Sequence, residues 1–219
     1  MEGLPGHRAR PAAVTRLYVV RHGQTDWNLA GRLQGSSDIE LNDTGRAQAR
    51  AAAASLWPEL SGTPVIVSST LGRAIETARI IARGGDCELH QDARLGERRY
   101  GPWEGLLAHE RAEQYPDADA AWRAGFEPDF DGYESHATVA ARTTAAAHEW
   151  TSRVSGDVVF VAHGSSGRML LLSLLGLPLT GRTLGHFENA AWSRLVPSPA
   201  GGWSLERHNV GAPAVAVSS

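Results

Sequence analysis

Lysine is absent from this 219-residue chain, and all 21 basic residues are arginine. That excludes a phosphate-loop lysine and a lysine Schiff base within it. A single cysteine, Cys87, excludes an internal disulfide framework and a zinc ribbon. Cys87 lacks any local signature of a catalytic thiol and reads as incidental. No basic block or stripe is present and the net charge is -3, which argues against a nucleic-acid partner. Long apolar runs are missing too. Leu170 to Leu179 falls short of the ~20 residues that a bilayer span needs. Met1 to Thr15 holds arginines but no apolar core, so it does not read as a secretory signal. The expectation is a soluble cytoplasmic protein with no nucleic-acid or membrane partner.

What is present is a set of short apolar runs. Leu17-Tyr18-Val19-Val20, Val65-Ile66-Val67 and Val158-Val159-Phe160-Val161 fit strands buried on both faces, as in a parallel sheet. A helix is predicted from an N-cap at Asn42 to Leu56, stopped by Pro58. A second follows Ser69-Thr70, with Leu71, Ala74, Ile75, Ala78 and Ile81 at helical spacing. Residues 100–134 break the pattern, with a short helical stretch near Ala118 to Ala124. A long helix is predicted over Ser135 to Arg153, and another, capped by Ser165-Ser166, runs to Leu175. Ala191 to Val196 and Trp203 to Arg207 read as a closing hairpin, whose final strand is the candidate for antiparallel pairing. The order predicts an α/β fold, a three-layer α/β/α sandwich with a mostly parallel central sheet. A loose leader is expected over 1–15, one domain over 16–210 with an insertion at about 100–134, and a tail over 211–219.

The three runs each end in chemistry suited to phosphate: Arg21-His22-Gly23, Ser68-Ser69-Thr70 with Arg73, and His163-Gly164. Ligands in open α/β sheets bind beyond the carboxyl ends of the strands, so one site built from three strand ends is expected. A neutral imidazole is a good nucleophile near neutral pH, which makes His22 the candidate phospho-acceptor. Its other ring nitrogen should donate to a backbone carbonyl. Arg21 and Arg73 are the candidate phosphate clamps, with His163, if protonated, as a third positive donor. Glu97 is the candidate acid for the leaving group. Asn28 and Gln34, read as lying in a glycine-rich loop after His22, can donate amide hydrogens to phosphate. A metal on His22 and His163 is disfavoured, because no third ligand has helpful spacing and the arginines repel a cation. No cofactor is expected.

Leu17 to Asn28, Leu33-Gln34-Gly35, Leu41 to Ala49, Ser68 to Ala74, Glu97 with Tyr100-Gly101-Pro102-Trp103-Glu104-Gly105, and Val161-Ala162-His163-Gly164 together resemble the histidine phosphatase superfamily. The resemblance covers roughly 16–210, so the fold it implies is phosphoglycerate mutase-like. It implies His22 as phospho-acceptor, Arg21, Arg73 and His163 as phosphate pocket, Glu97 as proton donor, and no metal. Asn28 and Gln34 align with pocket residues of the phosphatase branch, and Gly164 borders the same pocket. The substrate implied is a small phosphate ester, a sugar phosphate or a phosphoglycerate derivative. Glu97-Arg98-Arg99-Tyr100-Gly101 resembles the mutase form of that segment, and Arg98, Arg99 and Tyr100 could bind a substrate carboxylate. Against a mutase, residues 104–134 carry nine acidic and two basic residues, and a paired-arginine insertion is absent. The expectation is therefore a hydrolase. A mutase and an inactive phosphate-binding scaffold stand as alternatives, and a homodimer is the oligomer to consider. The aromatic residues of 100–134 suit either a bulky leaving group or a small satellite core. His136, His186 and the other histidines read as surface or packing residues.

Overall fold

The computed structural model describes residues 15–180 and 183–211. In chain order the first half holds β1 (Leu17–Arg21), α1 (Asp26–Ala30), α2 (Asp43–Leu56), β2 (Val65–Ser68), α3 (Gly72–Ala82) and β3 (Glu88–Gln91). The second half holds α4 (Ala108–Gln114), α5 (Pro116–Arg123), α6 (His136–Arg153), β4 (Val158–Ala162), α7 (Gly164–Leu174), β5 (Trp192–Pro197) and β6 (Trp203–Val210).

The strands form one sheet in the order β3-β2-β4-β1-β5-β6. β1 runs parallel to β4, and β2 runs parallel to both β4 and β3. β5 is antiparallel to β1, and β6 is antiparallel to β5. The final strand thus pairs antiparallel, as expected, while β5 is the strand whose direction opposes the rest. A hairpin sequence fixes only that its two arms oppose each other; the β1–β5 pairing decides which arm is reversed. In register, Arg21 lies opposite Ala162 and Ser68 opposite Val161. That alignment brings His22, Ser69 and His163 to one end of the sheet.

Alternate strand residues serve two cores. Leu17, Val19, Val67 and Phe160 pack with Ala146 and Ala147 of α6 and Leu170 and Leu171 of α7. Tyr18, Val20, Ile66 and Val161 pack with Leu56 of α2 and Ala74, Ala78 and Ile81 of α3. Three layers result, as expected, with each large apolar side chain buried contributing about 1.5–3 kcal/mol. Asn42 caps α2, its Oδ1 accepting from the Gly45 amide at 2.8 Å. Gly23 and Gly45 pass so close that a Cβ on either would strike backbone of the opposing segment. Glycine after His22 therefore lets the first turn of α2 press on the loop behind the imidazole.

Residues 100–134 fold as a turn at Gly101–Trp103 followed by α4 and α5, closed by a bridge between Tyr100 and Tyr133. Trp103 is buried, with ring centres of Trp122, Phe130 and Tyr133 at 5.7, 5.3 and 6.1 Å. Most aromatic residues of this segment thus make a satellite core. The leader and tail expected over 1–15 and 211–219 lie outside the described residues, apart from Thr15 and Gly211. Thr15 donates its hydroxyl to the Val154 carbonyl at 3.2 Å. No described helix is long and apolar enough to cross a membrane.

Candidate active site

His22 follows the last residue of β1 and is buried. Its backbone continues the sheet pairing, the amide donating to Ala162 O at 3.0 Å. The ring contact that matters is Nδ1 with Gly23 O at 2.6 Å. A carbonyl can only accept, so Nδ1 carries the hydrogen and Nε2 keeps its lone pair. Burial, then the charges of Arg21 and Arg73, push the His22 imidazole well below its ordinary value. The ring is neutral, with one defined nucleophilic nitrogen.

His163 sits after β4, its ring centre 5.1 Å from that of His22. Arg73 Nε donates to His163 Nδ1 at 3.2 Å, so His163 Nε2 holds the hydrogen and donates to Ser69 Oγ at 2.8 Å. Burial, then Arg73, push this imidazole well down as well. The structure therefore makes His163 a neutral group and not a third cation. Arg73, in the first turn of α3, is fully buried. Its Nη1 donates to Ser37 O at 2.7 Å and its Nη2 to Gly35 O at 2.8 Å. Arg21 donates through Nη1 to Phe187 O at 2.5 Å and meets His186 Nε2 at 3.0 Å. Its Nε is buried with no hydrogen-bond partner among the described residues. A buried donor left over in a protein interior is expensive unless a ligand takes it.

Glu97 is held by backbone alone. Its Oε1 accepts from Arg98 N at 2.7 Å and Ser166 N at 2.9 Å, and its Oε2 from Ser165 N at 3.0 Å. The last two amides are unpaired first-turn donors of α7, so Glu97 caps that helix from a distant segment. The N-cap is His163, and of the expected Ser165-Ser166 cap Ser166 takes part, its hydroxyl accepting from the His163 amide at 3.3 Å. Neighbouring arginines are engaged elsewhere: Arg94 with Asp92 and Glu149, Arg98 with Glu127.

These groups border a cavity of about 690 Å³ lined by Arg21, His22, Asn28, Gln34, Arg73, Glu97, Arg98, Tyr100 and Gly164, among others. Asn28 is on α1 and not in a loop. Its Oδ1 accepts from Thr25 N, Thr25 Oγ1 and Asn189 Nδ2, so Nδ2 is its donor toward the cavity. Burial and the Glu97 charge push the Tyr100 phenol up, which keeps it a neutral donor. Arg98 lines the wall but is engaged: Nη2 to Glu127 Oε1 at 2.6 Å, Nε to Glu134 O at 2.7 Å, Nη1 against His136 Nε2 at 2.7 Å. Arg99 is exposed and borders a different, smaller depression. The mutase-like Arg98-Arg99 pair is therefore not presented to the cavity as free cations.

Among the described residues, six arginines line this cavity, against one carboxylate, Glu97. Acids of 104–134 are engaged by protein partners: Glu104 accepts from Ser36 and Ser37, Glu134 pairs with Arg142, and Glu110 and Asp119 pair with Arg32 and Arg123, two of the arginines of the cavity wall. Trp122 and Phe126 are the aromatic residues of 104–134 on the cavity wall. His136, Arg168 and His186 also line it and were not anticipated. Arg168 had a signal, since it lies one helical turn after Gly164 and so on the same face. His136 opens α6, so the predicted helix start was its only signal, whereas His186 had none, because it reaches the site through a loop.

Burial and the Arg98 charge likewise push His136 down, to about 4. Unfolded imidazoles take a proton near 6.5, so below about that pH the unfolded chain binds protons that native His22, His163 and His136 do not. Stability is therefore complete above the unfolded value and falls as pH drops, by about 1.4 kcal/mol per pH unit for each such imidazole. Thermal unfolding followed from pH 7 to pH 5 should show a falling Tm, with a shallower fall in His136→Gln. A flat profile would contradict the neutral assignments.

The model of the histidine phosphatase superfamily (branch 1) matches residues 17–211. The chain belongs to this superfamily. It is 38% identical over 201 residues to a glucosyl-3-phosphoglycerate phosphatase of Mycobacterium tuberculosis, covering 87% of this chain and 89% of the relative. A metal-independent phosphoserine phosphatase of Arabidopsis thaliana is 35% identical over 201 residues, covering 89% of this chain and 83% of the relative. Among solved structures, a mycobacterial glucosyl-3-phosphoglycerate phosphatase complexed with VO3 superposes with a TM-score of 0.80 at 35% identity. That match covers 90% of this chain and 100% of the solved one. A histidine phosphatase fold is thus established for this chain.

Proposed function

We propose that this histidine phosphatase hydrolyses a small phosphate ester through a phosphohistidine, with no metal. The observation that carries the reading is the Nε2 lone pair of His22, fixed by the Nδ1–Gly23 contact beside the unmatched Nε–H of Arg21. His22 Nε2 attacks phosphorus, and the bond from phosphorus to the ester oxygen breaks. Arg21, Arg73 and the Asn28 amide hold the equatorial oxygens, where transition-state charge is spread. Glu97, protonated in the productive complex, gives its proton to the departing oxygen. Water then attacks the phosphohistidine, Glu97 takes the water's proton, and phosphate leaves with His22 restored.

Names of relatives support hydrolysis of a phosphorylated metabolite over mutase chemistry, and the engagement of Arg98 and exposure of Arg99 support it too. Residues 16–210 act as one domain with 100–134 as its lid. The setting we assign is cytoplasmic, without nucleic acid; light scattering tests for a homodimer.

Hydrolysis of 3-phosphoglycerate should outrun its conversion to 2-phosphoglycerate in the presence of bisphosphoglycerate primer. Fast conversion with negligible phosphate release would make it a mutase. Glu97→Gln should slow alkyl phosphates more than p-nitrophenyl phosphate, because only the poorer leaving group needs the proton. Equal slowing of both would remove Glu97 as the acid and leave it as the cap of α7.

A further inference from the structure

Glu97 lies in a stretch with no helix or strand of its own, between the 3₁₀ turn Ala93–Leu95 and the turn at Gly101–Trp103. Backbone of that kind has no ladder to hold it, so its carbonyls need other donors. Four successive carbonyls, from Arg94 to Glu97, each accept from a side chain. Arg142 of α6 takes three of them. Its Nη1 donates to Arg94 O at 2.6 Å and Gly96 O at 2.8 Å, and its Nη2 to Glu97 O at 3.2 Å. Ser166 Oγ donates to the fourth, Leu95 O, at 3.3 Å. The same guanidinium also meets Glu134, at the end of the 100–134 segment. Nε donates to Oε1 at 2.8 Å and Nη2 to Oε2 at 3.0 Å. Glu134 Oε2 in turn accepts from Arg99 N at 3.3 Å, and the Glu134 amide donates to Arg99 O at 2.9 Å. The clasp thus grips the chain on both sides of Glu97.

A planar guanidinium presents five donors in a fixed fork, so one side chain can set the spacing of several acceptors. Glu134 is buried and matches the guanidinium charge, so the clasp adds hydrogen bonds beside Glu97 without adding net charge. Through its described hydrogen bonds Arg142 holds the main chain of Glu97, whereas the carboxylate rests on the Arg98, Ser165 and Ser166 amides. So α6 sets where the acid's backbone runs, and α7 sets where its carboxylate lies. An acid that gives a proton to a departing oxygen and then takes one from water must keep its place through both steps. A misplacement of about 1 Å can cost about 10²-fold in rate.

We infer that Arg142 is a positioning residue for the acid Glu97, acting from α6 in partnership with Glu134. This deepens the phosphatase reading and rests on it.

The test reads kcat/KM, which reports phosphoryl transfer to His22 before water enters. Arg142→Ala should lower it for 3-phosphoglycerate about 10-fold more than for p-nitrophenyl phosphate, whose leaving group departs without a placed proton. Added to Glu97→Gln, the same change should cost 3-phosphoglycerate less than about threefold more, because the acid is already gone. Arg142→Lys keeps the charge but not the fork. It should show the same split in smaller measure, and it carries the test if the alanine variant does not fold. A merely structural arginine would slow both esters alike. Where Glu97→Gln shows the split, equal slowing of both esters by the Arg142 variant, or losses that multiply in the double variant, would overturn the inference. Amide hydrogen exchange reads the placement without turnover. None of the described hydrogen bonds of Arg142 goes to α7. In the Arg142 variant the Ser165 and Ser166 amides should therefore exchange at least about 10-fold faster, while those of Leu170 to Leu172 hold. Faster exchange confined to the two serines upholds the role even if the native enzyme hydrolyses neither ester, in which case the phosphatase reading alone fails. Unchanged exchange at the serines, or acceleration throughout α7, overturns the role whatever the activity.

Discussion

His22→Ala should lower kcat/KM for p-nitrophenyl phosphate by about 10⁴-fold or more, the scale seen when a covalent nucleophile is removed. The size of the loss follows from the site's other imidazoles, none of which can substitute. His163 has Nδ1 occupied by Arg73 and Nε2 by Ser69. His186 faces Arg21 through Nε2, and His136 faces Arg98 through Nε2. No other described imidazole on the cavity wall offers a free lone pair beside Arg21 Nε. The assay is run in EDTA, with Tm measured alongside to account for the lost packing of a buried ring. Activity within tenfold of the native enzyme, with the fold intact, would refute His22 as the nucleophile.

Arg73→Lys should cost about 10²–10³-fold in kcat/KM, as for loss of one preorganised donor to transition-state charge. Charge alone does not replace this side chain. Its guanidinium holds Ser37 O, Gly35 O and His163 Nδ1 simultaneously, and so locks the loop after α1 to the floor of the site. An ammonium cannot span that set and still face a phosphate. The substitution should also destabilise the fold, because buried carbonyls that lose a donor cost about 1–3 kcal/mol each. Kinetics well below Tm separate the two effects. A lysine variant with near-native kcat/KM would show that Arg73 serves the loop and not the phosphate.

The parts of the fold that were legible are those whose burial is written in consecutive residues. β1, β2 and β4 are buried throughout, so they read as unbroken apolar runs. β3 was missed because it is an edge strand, mostly exposed, with the polar sequence Glu88-Leu89-His90-Gln91. α1 and α4 were missed because they span 5 and 7 residues, too short for a periodicity to register. Strand ends carried the site legibly too: Arg21, His22 and His163 are fixed by β1 and β4, and Arg73 by the first turn of α3. Charge was less legible. Which acid neutralises which arginine depends on tertiary pairing, so a net-acidic lid and a cationic cavity coexist in one segment. Arg99 lies outside the cavity lining for a related reason. Successive residues in an irregular segment point in different directions, and only Arg98 of the pair faces inward.

The most direct test is rapid quenching of turnover with a radiolabelled phosphate ester, followed by mapping of the label. The account predicts acid-labile, base-stable phosphate on His22 during turnover, absent from His22→Ala. Continued hydrolysis with no label on residue 22 would contradict it.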